Sequence, residues 1–185
     1  MLTKVGDIEI IDDFVEPEEY LAIRDVLMSK DFPWYTSIVV DSSANELQNI
    51  QLVHEFYKYM KPISRAFDTF GAVLEKIDPV AILRIKANLV IGTEKLYEHG
   101  MHTDVREYVP GMRTGVYYLN TCDGYTGFED GTKVQSVANR FVSFPANMLH
   151  TGTTTTNDKC RVVVNFNWIH VDEWIPCGNP QPCAS

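Results

Sequence analysis

The sequence predicts a mostly β fold, an antiparallel sandwich or barrel with helices packed against its outside. From Val80 onward, short segments of alternating polar and apolar residues follow one another at regular spacing. Turn signals such as Asp130-Gly131 separate these segments, and no helical pattern lies between them. Before Val80, apolar residues recur mainly at helical spacing. Short strands in succession without intervening helices are typical of antiparallel sandwiches and barrels.

Residues 1–79 are predicted to form a helical support region behind one opening strand. In chain order, we expect a strand over 7–11, a helix from about Glu16, an extended stretch over 32–40, a helix over 46–61 and a second helix after Pro62. The first helix has Asp13 or Glu16 as its cap and Pro17 in its first turn, where no helical hydrogen bond is lost. An apolar stripe at helical spacing predicts the helix over 46–61.

The C-terminal part is predicted to contain six further strands. They cover residues 82–90, 114–120, 133–137, 140–144, 148–151 and 161–169. Because successive side chains of a strand point to opposite faces, the first of these strands places Arg84, Lys86 and Asn88 on one face.

The strand over 161–169 has two contrasting faces. The apolar face consists of Val162, Val164, Phe166 and Trp168. The polar face consists of Arg161, Val163, Asn165 and Asn167. The apolar face should pack against another layer of the fold. We interpret the polar face as the lining of a polar pocket, with exposure to bulk solvent as the alternative.

Length, charge and cysteine content limit the class of protein. The 185 residues fit one globular domain. The net charge of −9, without any compensating basic cluster, disfavours nucleic acid as a partner. We expect a cytoplasmic protein with no membrane partner, since the sequence has neither a membrane-spanning apolar stretch nor a secretory signal pattern. Reduced cysteines are expected in that compartment, and a bridge between Cys177 and Cys183 is the alternative.

A candidate metal site begins at His102-Thr103-Asp104. On an extended chain, residues two apart point to the same side, so the imidazole and the carboxylate can share one ion. His150 would complete a set of two histidines and one carboxylate, the facial triad of non-haem Fe(II) sites with open coordination positions. Arg161 follows in the next strand, and its forked cation can bind the far end of a dicarboxylate through two hydrogen bonds.

In this order and spacing, the sequence resembles the Fe(II)/2-oxoglutarate-dependent dioxygenase superfamily, and within it the prolyl 4-hydroxylase-like branch most closely. The resemblance covers roughly residues 80–169. The segments that carry it are His102 to Asp104, Thr114 to Asn120, Gly127 to Gly131, Asn139 to Phe144, His150 and Arg161. One departure is the cation, because collagen-type prolyl hydroxylases have a lysine at the position of Arg161.

The resemblance implies a double-stranded β-helix, or jelly-roll, core over residues 80–170. This core would belong to a single oxygenase domain of residues 1–185, in which 171–185 form a C-terminal tail. The resemblance also implies that three residues bind Fe(II), namely His102, Asp104 and His150. Arg161 would pair with the 5-carboxylate of 2-oxoglutarate, and Tyr118 would contact the same carboxylate. Asn88 is a candidate donor to the cosubstrate's other end.

The implied reaction consumes O2 and 2-oxoglutarate and releases succinate and CO2. It would hydroxylate an unactivated C–H bond of a protein side chain, prolyl by default, or of a small metabolite. Ascorbate is a candidate additional cofactor. Specificity would come from the loops over 99–113 and 123–131 and from the N-terminal region.

Two other classes of protein remain open. A jelly roll of the cupin kind could bind a different metal or ligand, although the sequence has no His-x-His pair of the cupin type. A catalytically inactive binding module could retain the same scaffold. The remaining histidines, His54, His99 and His170, have no partners at informative spacing, and we interpret them as structural or solvated.

Overall fold

The computed structural model describes residues 1–39, 50–105 and 107–170. The strands of these residues are β1 (Leu2–Val5), β2 (Ile8–Ile11), β3 (Tyr35–Ile38), β4 (Ile50–Lys58), β5 (Lys61–Pro62), β6 (Ala81–Ile91), β7 (Met112–Tyr118), β8 (Tyr125–Phe128), β9 (Lys133–Gln135), β10 (Phe141–Pro145), β11 (His150–Gly152) and β12 (Cys160–Ile169). The helices are α1 (Pro17–Leu27) and α2 (Gly71–Ile77), and a 3₁₀ turn over Phe67–Phe70 leads into α2.

The described strands form two antiparallel sheets that face each other. The larger sheet has the order β1-β2-β10-β7-β12-β6-β4-β3, with β5 paired to β4, and the smaller sheet has the order β11-β8-β9. An apolar cluster joins the sheets where Tyr118 and Val116 of β7 meet Phe128 of β8 and Val134 of β9. The predicted fold class is therefore confirmed: the chain is mostly β, with a jelly-roll core and flanking helices.

The helices cover the outer face of the larger sheet. Ile23 and Leu27 of α1 and Val73 of α2 belong to one buried cluster with the apolar face of β12. Of the two predicted caps, Asp13 and Glu16, it is Glu16 that caps α1, where it forms a reciprocal capping box with Glu19. The predicted division of β12 into an apolar face toward another layer and a polar face toward a pocket is confirmed.

The helical prediction for the first 79 residues is only partly right. The helix expected over 46–61 is wrong across its described part, because Ile50–Lys58 is strand β4, paired with β3 and β6. The second helix, expected after Pro62 with Ile63 in its apolar stripe, begins later, at the turn over Phe67–Phe70. The region that supports the core therefore contains five strands and two helices among its described residues.

The predictions on cysteines, domain boundaries and membrane spans can be compared with the structure only in part. Cys122 and Cys160 are free thiols, as expected, whereas Cys177, Cys183 and the whole tail over 171–185 lie outside the described residues. The domain boundaries stay a prediction. None of the helices in residues 1–39, 50–105 and 107–170 is long and apolar enough to span a membrane.

Phe166 links the larger sheet to the helical layer, and its truncation should destabilise the fold. Its side chain is 1% exposed, and its ring meets that of Phe70 edge-on at 5.4 Å. We expect Phe166→Ala to lower the free energy of unfolding by about 3–5 kcal/mol, since truncating a buried phenylalanine leaves a cavity. Urea denaturation would measure the change, with Val80→Ala as a control because Val80 is 67% exposed. Equal effects of the two substitutions would contradict the assignment of Phe166 to the core.

Candidate active site

A cavity of about 400 Å³ lies between the two sheets. Strands β6 and β12 of the larger sheet and β8 and β11 of the smaller sheet line it, together with the segment over 99–105 that precedes β7. Its polar lining from the larger sheet includes Arg84, Lys86, Asn88, Arg161 and Asn165. The cavity therefore brings together residues from distant parts of the chain.

His102 and His150 are held side by side by backbone pairing. The His102 amide donates to the His150 carbonyl oxygen at 2.9 Å, and the His150 amide donates back to the His102 carbonyl oxygen at 3.0 Å. Such a reciprocal pair places two residues directly opposite each other on antiparallel strands. The two imidazole centroids consequently lie 4.7 Å apart.

Both imidazoles are oriented so that Nε2 remains available to a ligand. His102 Nδ1 lies 3.1 Å from the Gly100 carbonyl oxygen, and His150 Nδ1 lies 3.1 Å from the Met148 carbonyl oxygen. Because a carbonyl oxygen only accepts, each Nδ1 must carry a proton, so the neutral tautomer that can bind a metal has its lone pair on Nε2. Nε2 of His150 is buried and has no hydrogen-bond partner among the described residues. Metal-binding histidines usually donate their other ring N–H to a carbonyl or carboxylate in this way.

Asp104 completes the cluster with a carboxylate that is held from two sides. Its side chain is 6% exposed, and Oδ1 lies 2.9 Å from Nη2 of Arg84. Asn167 Nδ2 donates to Oδ2 at 3.2 Å. Burial by itself would raise the pKa of this carboxyl, but the Arg84 guanidinium and the Asn167 hydrogen bond lower the pKa below its ordinary value. The group is therefore an anion at neutral pH.

The donor set fits a divalent iron. One ligand atom each from His102, Asp104 and His150 lies within 4.8 Å of the others, a spacing that one metal ion can span. Two neutral imidazoles and one carboxylate are the ligands of the facial triad, which leaves coordination positions open. The unpartnered Nε2 of His150 also fits, because a buried polar atom without a partner costs stability unless a ligand satisfies it. The structure thus brings the three predicted ligands together.

Arg161 lies elsewhere in the same cavity and is 3% exposed. Its Nη2 donates to Thr126 Oγ1 at 3.1 Å, while its Nε is buried without a partner among the described residues. Gly124 leaves room for its stem, since a Cβ there would lie 2.6 Å from Arg161 Cδ. Burial lowers the pKa of the guanidinium, which nevertheless remains a cation because an arginine pKa is so high. This part of the cavity is therefore suited to an anion.

Tyr118 lies behind the residues that line this end of the cavity and contacts them. Its hydroxyl donates to Thr126 Oγ1 at 2.8 Å, and its ring centroid lies 5.5 Å from Arg161 Cζ. Burial raises the pKa of the phenol, so it is a neutral donor. Thr126 lines the cavity, whereas Tyr118 is not among the lining residues. Direct contact between Tyr118 and a ligand stays a prediction.

Asn88 and Lys86 lie on the cavity face of β6, as their alternation predicted. Asn88 is 7% exposed, and its Oδ1 has no partner among the described residues. Lys86 also lines the cavity, where burial and the neighbouring Arg84 lower the pKa of its ammonium group. The proposed contact of Asn88 with a cosubstrate stays a prediction.

Several contacts of the site were not predicted from the sequence. Strand alternation placed Asn167 on the polar face of β12, but its hydrogen bond to Asp104 was not predicted. The pairing of Arg84 with Asp104 and the role of Thr126 as a partner of Arg161 had no sequence signal, because both depend on contacts between distant segments. His99, interpreted as structural or solvated, instead lies in the cavity and is 6% exposed.

Three solved structures show what this chain is similar to. A prolyl hydroxylase from Trichoplax adhaerens, in complex with a hypoxia inducible factor peptide, matches with a TM-score of 0.63 and 12% identity over 89% of this chain and 84% of that one. A prolyl-4-hydroxylase from Pseudomonas putida matches with a TM-score of 0.59 and 13% identity, over 89% of this chain and 93% of that one. The epimerase SnoN, in complex with Fe3+, alpha ketoglutarate and nogalamycin RO, matches with a TM-score of 0.61 and 10% identity. The match covers 88% of this chain and 78% of that one.

The likeness is one of structure rather than of sequence. No family model matches the chain, and no curated protein sequence does so either. The identities of 10–13% to the three structures are far lower than their coverage of the chain. The chain therefore has the jelly-roll fold of iron- and oxoglutarate-dependent oxygenases.

Proposed function

We propose that this protein is an Fe(II)- and 2-oxoglutarate-dependent oxygenase in which His102, Asp104 and His150 hold the iron. The observation that carries the proposal is the convergence of the three ligand atoms within 4.8 Å of one another, in a cavity that also contains a buried arginine. The fold and the hydrogen bonds from Nδ1 of both histidines to backbone carbonyl oxygens support it. A cupin-like site or an inactive binding module would not need an open iron triad and a buried cation in one cavity.

Arg161 is assigned to the 5-carboxylate of 2-oxoglutarate. Its unpartnered Nε and its remaining guanidinium donors can form charge-assisted hydrogen bonds with that carboxylate. Asn88 and Lys86, on the neighbouring strand, would face the rest of the ligand. Thr126 and Tyr118 fix the guanidinium by hydrogen bonding and ring contact. The chain would thus orient the cosubstrate between the iron ligands and the arginine.

The reaction proposed is hydroxylation. When bound, iron and 2-oxoglutarate supply the oxidising chemistry by which one atom of O2 enters succinate and the other enters the substrate as a hydroxyl group. The chain's own contribution is to hold Asp104 ionised through Arg84 and Asn167 and to fix both imidazoles by their Nδ1 protons. The substrate is a protein side chain, prolyl-like, or a small metabolite.

An anaerobic titration tests this proposal. Adding Fe(II) and then 2-oxoglutarate should produce the weak visible charge-transfer band of the chelate, and admitting air should convert 2-oxoglutarate to succinate. Proline-containing peptides and small amino acids would then be compared for their ability to stimulate succinate release. A protein that gives neither the band nor succinate would be a cupin-like or inactive module instead.

A further inference from the structure

His99 is a buried histidine whose imidazole has no hydrogen-bond partner. The residue is 6% exposed, and neither Nδ1 nor Nε2 has a partner within the described part of the chain. A buried imidazole without partners is costly, because both nitrogens have lost water and gained nothing in exchange. A ligand in the cavity that His99 lines would remove that cost.

The backbone of His99 is fixed beside β11. Its amide donates to the Gly152 carbonyl oxygen at 3.0 Å, and Thr151 Oγ1 donates to its carbonyl oxygen at 2.5 Å. Gly152 in turn lies next to Arg161, since a Cβ added there would be 3.4 Å from Nη1. His99 is therefore held at the arginine-bearing part of the cavity rather than in a loose loop.

The charge state of His99 suits a donor to an anion. Burial lowers the pKa of its imidazole, and the Arg161 cation lowers it further. The ring is therefore neutral at pH 7, with one N–H donor and one acceptor nitrogen. A second full positive charge beside Arg161 is avoided, while one N–H remains for a carboxylate.

We propose that His99 is a cosubstrate-binding residue, whose N–H donates to the 2-oxoglutarate carboxylate bound by Arg161. This inference rests on the proposed function. A single carboxylate has enough lone pairs to satisfy both the unpartnered Nε of Arg161 and the N–H of His99. Arg161 supplies the charge, and His99 adds a directional donor that a purely aliphatic wall would lack.

The test is 2-oxoglutarate binding to the anaerobic, Fe(II)-loaded protein. We expect His99→Phe to raise the Kd for 2-oxoglutarate about tenfold or more, because a hydrogen bond to a charged group is lost. Phenylalanine fills the same space without a donor, whereas Asn and Gln each place an amide N–H near one of the ring nitrogens. At least one of His99→Asn and His99→Gln should therefore restore most of the affinity, and none of the variants should change Fe(II) binding.

A second measurement needs no folded variant. In ¹⁵N-histidine-labelled, Zn(II)-loaded wild-type protein, 2-oxoglutarate should shift the ring signals of one histidine that is not a metal ligand. Wild-type affinity in folded His99→Phe, or the absence of any such shift, would overturn the role of His99 alone. Failure of the wild-type protein to bind 2-oxoglutarate would instead overturn the proposed function, and this inference with it.

Discussion

Replacing His150 with alanine should abolish the charge-transfer band that Fe(II) and 2-oxoglutarate produce, together with succinate formation. His150 supplies a buried Nε2 that has no other partner among the described residues, and its Nδ1 is already bound to the Met148 carbonyl oxygen. Loss of an outer-shell partner alone lowers metal affinity about 10–100-fold, so loss of a ligand should weaken Fe(II) binding by about 100-fold or more. Anaerobic titration with Fe(II), followed at the visible band and by metal analysis, measures the change.

His54 offers a matched control outside the site. It is a buried histidine whose nitrogens contact the Pro33 carbonyl oxygen at 2.7 Å and Ser64 Oγ at 2.8 Å. His54→Gln should therefore leave the band intact, even if it lowers stability. Thermal unfolding of each variant would separate loss of metal from loss of fold. A full band in both His102→Ala and His150→Ala would refute the ligand assignment.

The strand β12 could be predicted correctly because its two faces differ in chemistry. Val162, Val164 and Phe166 alternate with Arg161 and Asn165. The apolar residues lie in the buried core cluster, and the polar residues line the cavity. A period of two with one fully apolar face leaves few alternatives, since a one-residue slip would bury the arginine in the core.

Strand β4 could not be predicted in the same way. Its pairing with β6 shifts register between Glu55 and Tyr57, which breaks the period-two pattern and makes the apolar residues resemble a helical stripe. Val53 and Phe56 have side chains that fit a pleated surface as well as a helix. The decisive factor is that β3 and β6 flank this segment and pair with it, which is information a local window does not hold.

The site divides along the same line. The three candidate metal ligands could be predicted because their residue types and order point to one chemistry. The surroundings of His99 and Arg84 could not be predicted, because their neighbours Arg161 and Asp104 lie on segments that only the fold brings near. Residues that act through non-local contacts therefore need the structure.

Replacing Arg161 with methionine should weaken 2-oxoglutarate binding without affecting Fe(II). Methionine keeps an unbranched apolar stem but removes the cation. Truncating one partner of a buried, hydrogen-bonded charge pair costs about 2–5 kcal/mol, which corresponds to a rise in Kd of about 30-fold or more. The Kd of Arg161→Lys for 2-oxoglutarate should lie between those of the wild type and Arg161→Met. Lysine retains the charge but loses the fork that binds a carboxylate through two donors. Calorimetric titration of the Fe(II)-loaded protein with 2-oxoglutarate measures both variants.

The melting temperature of the ligand-free protein distinguishes a ligand-binding Arg161 from a structural one, because Arg161→Met should change it differently in the two cases. No carboxylate among the described residues lies within ion-pair distance of Arg161, which is 3% exposed. A buried cation without a counterion is destabilising, so Arg161→Met should leave the melting temperature of the ligand-free protein unchanged or raise it. It should also remove most of the stabilisation that 2-oxoglutarate gives to the wild-type protein, because a ligand stabilises only as far as it binds. A structural arginine would behave in the reverse manner: the ligand-free variant would melt at a much lower temperature, and the cosubstrate would still bind as tightly as before.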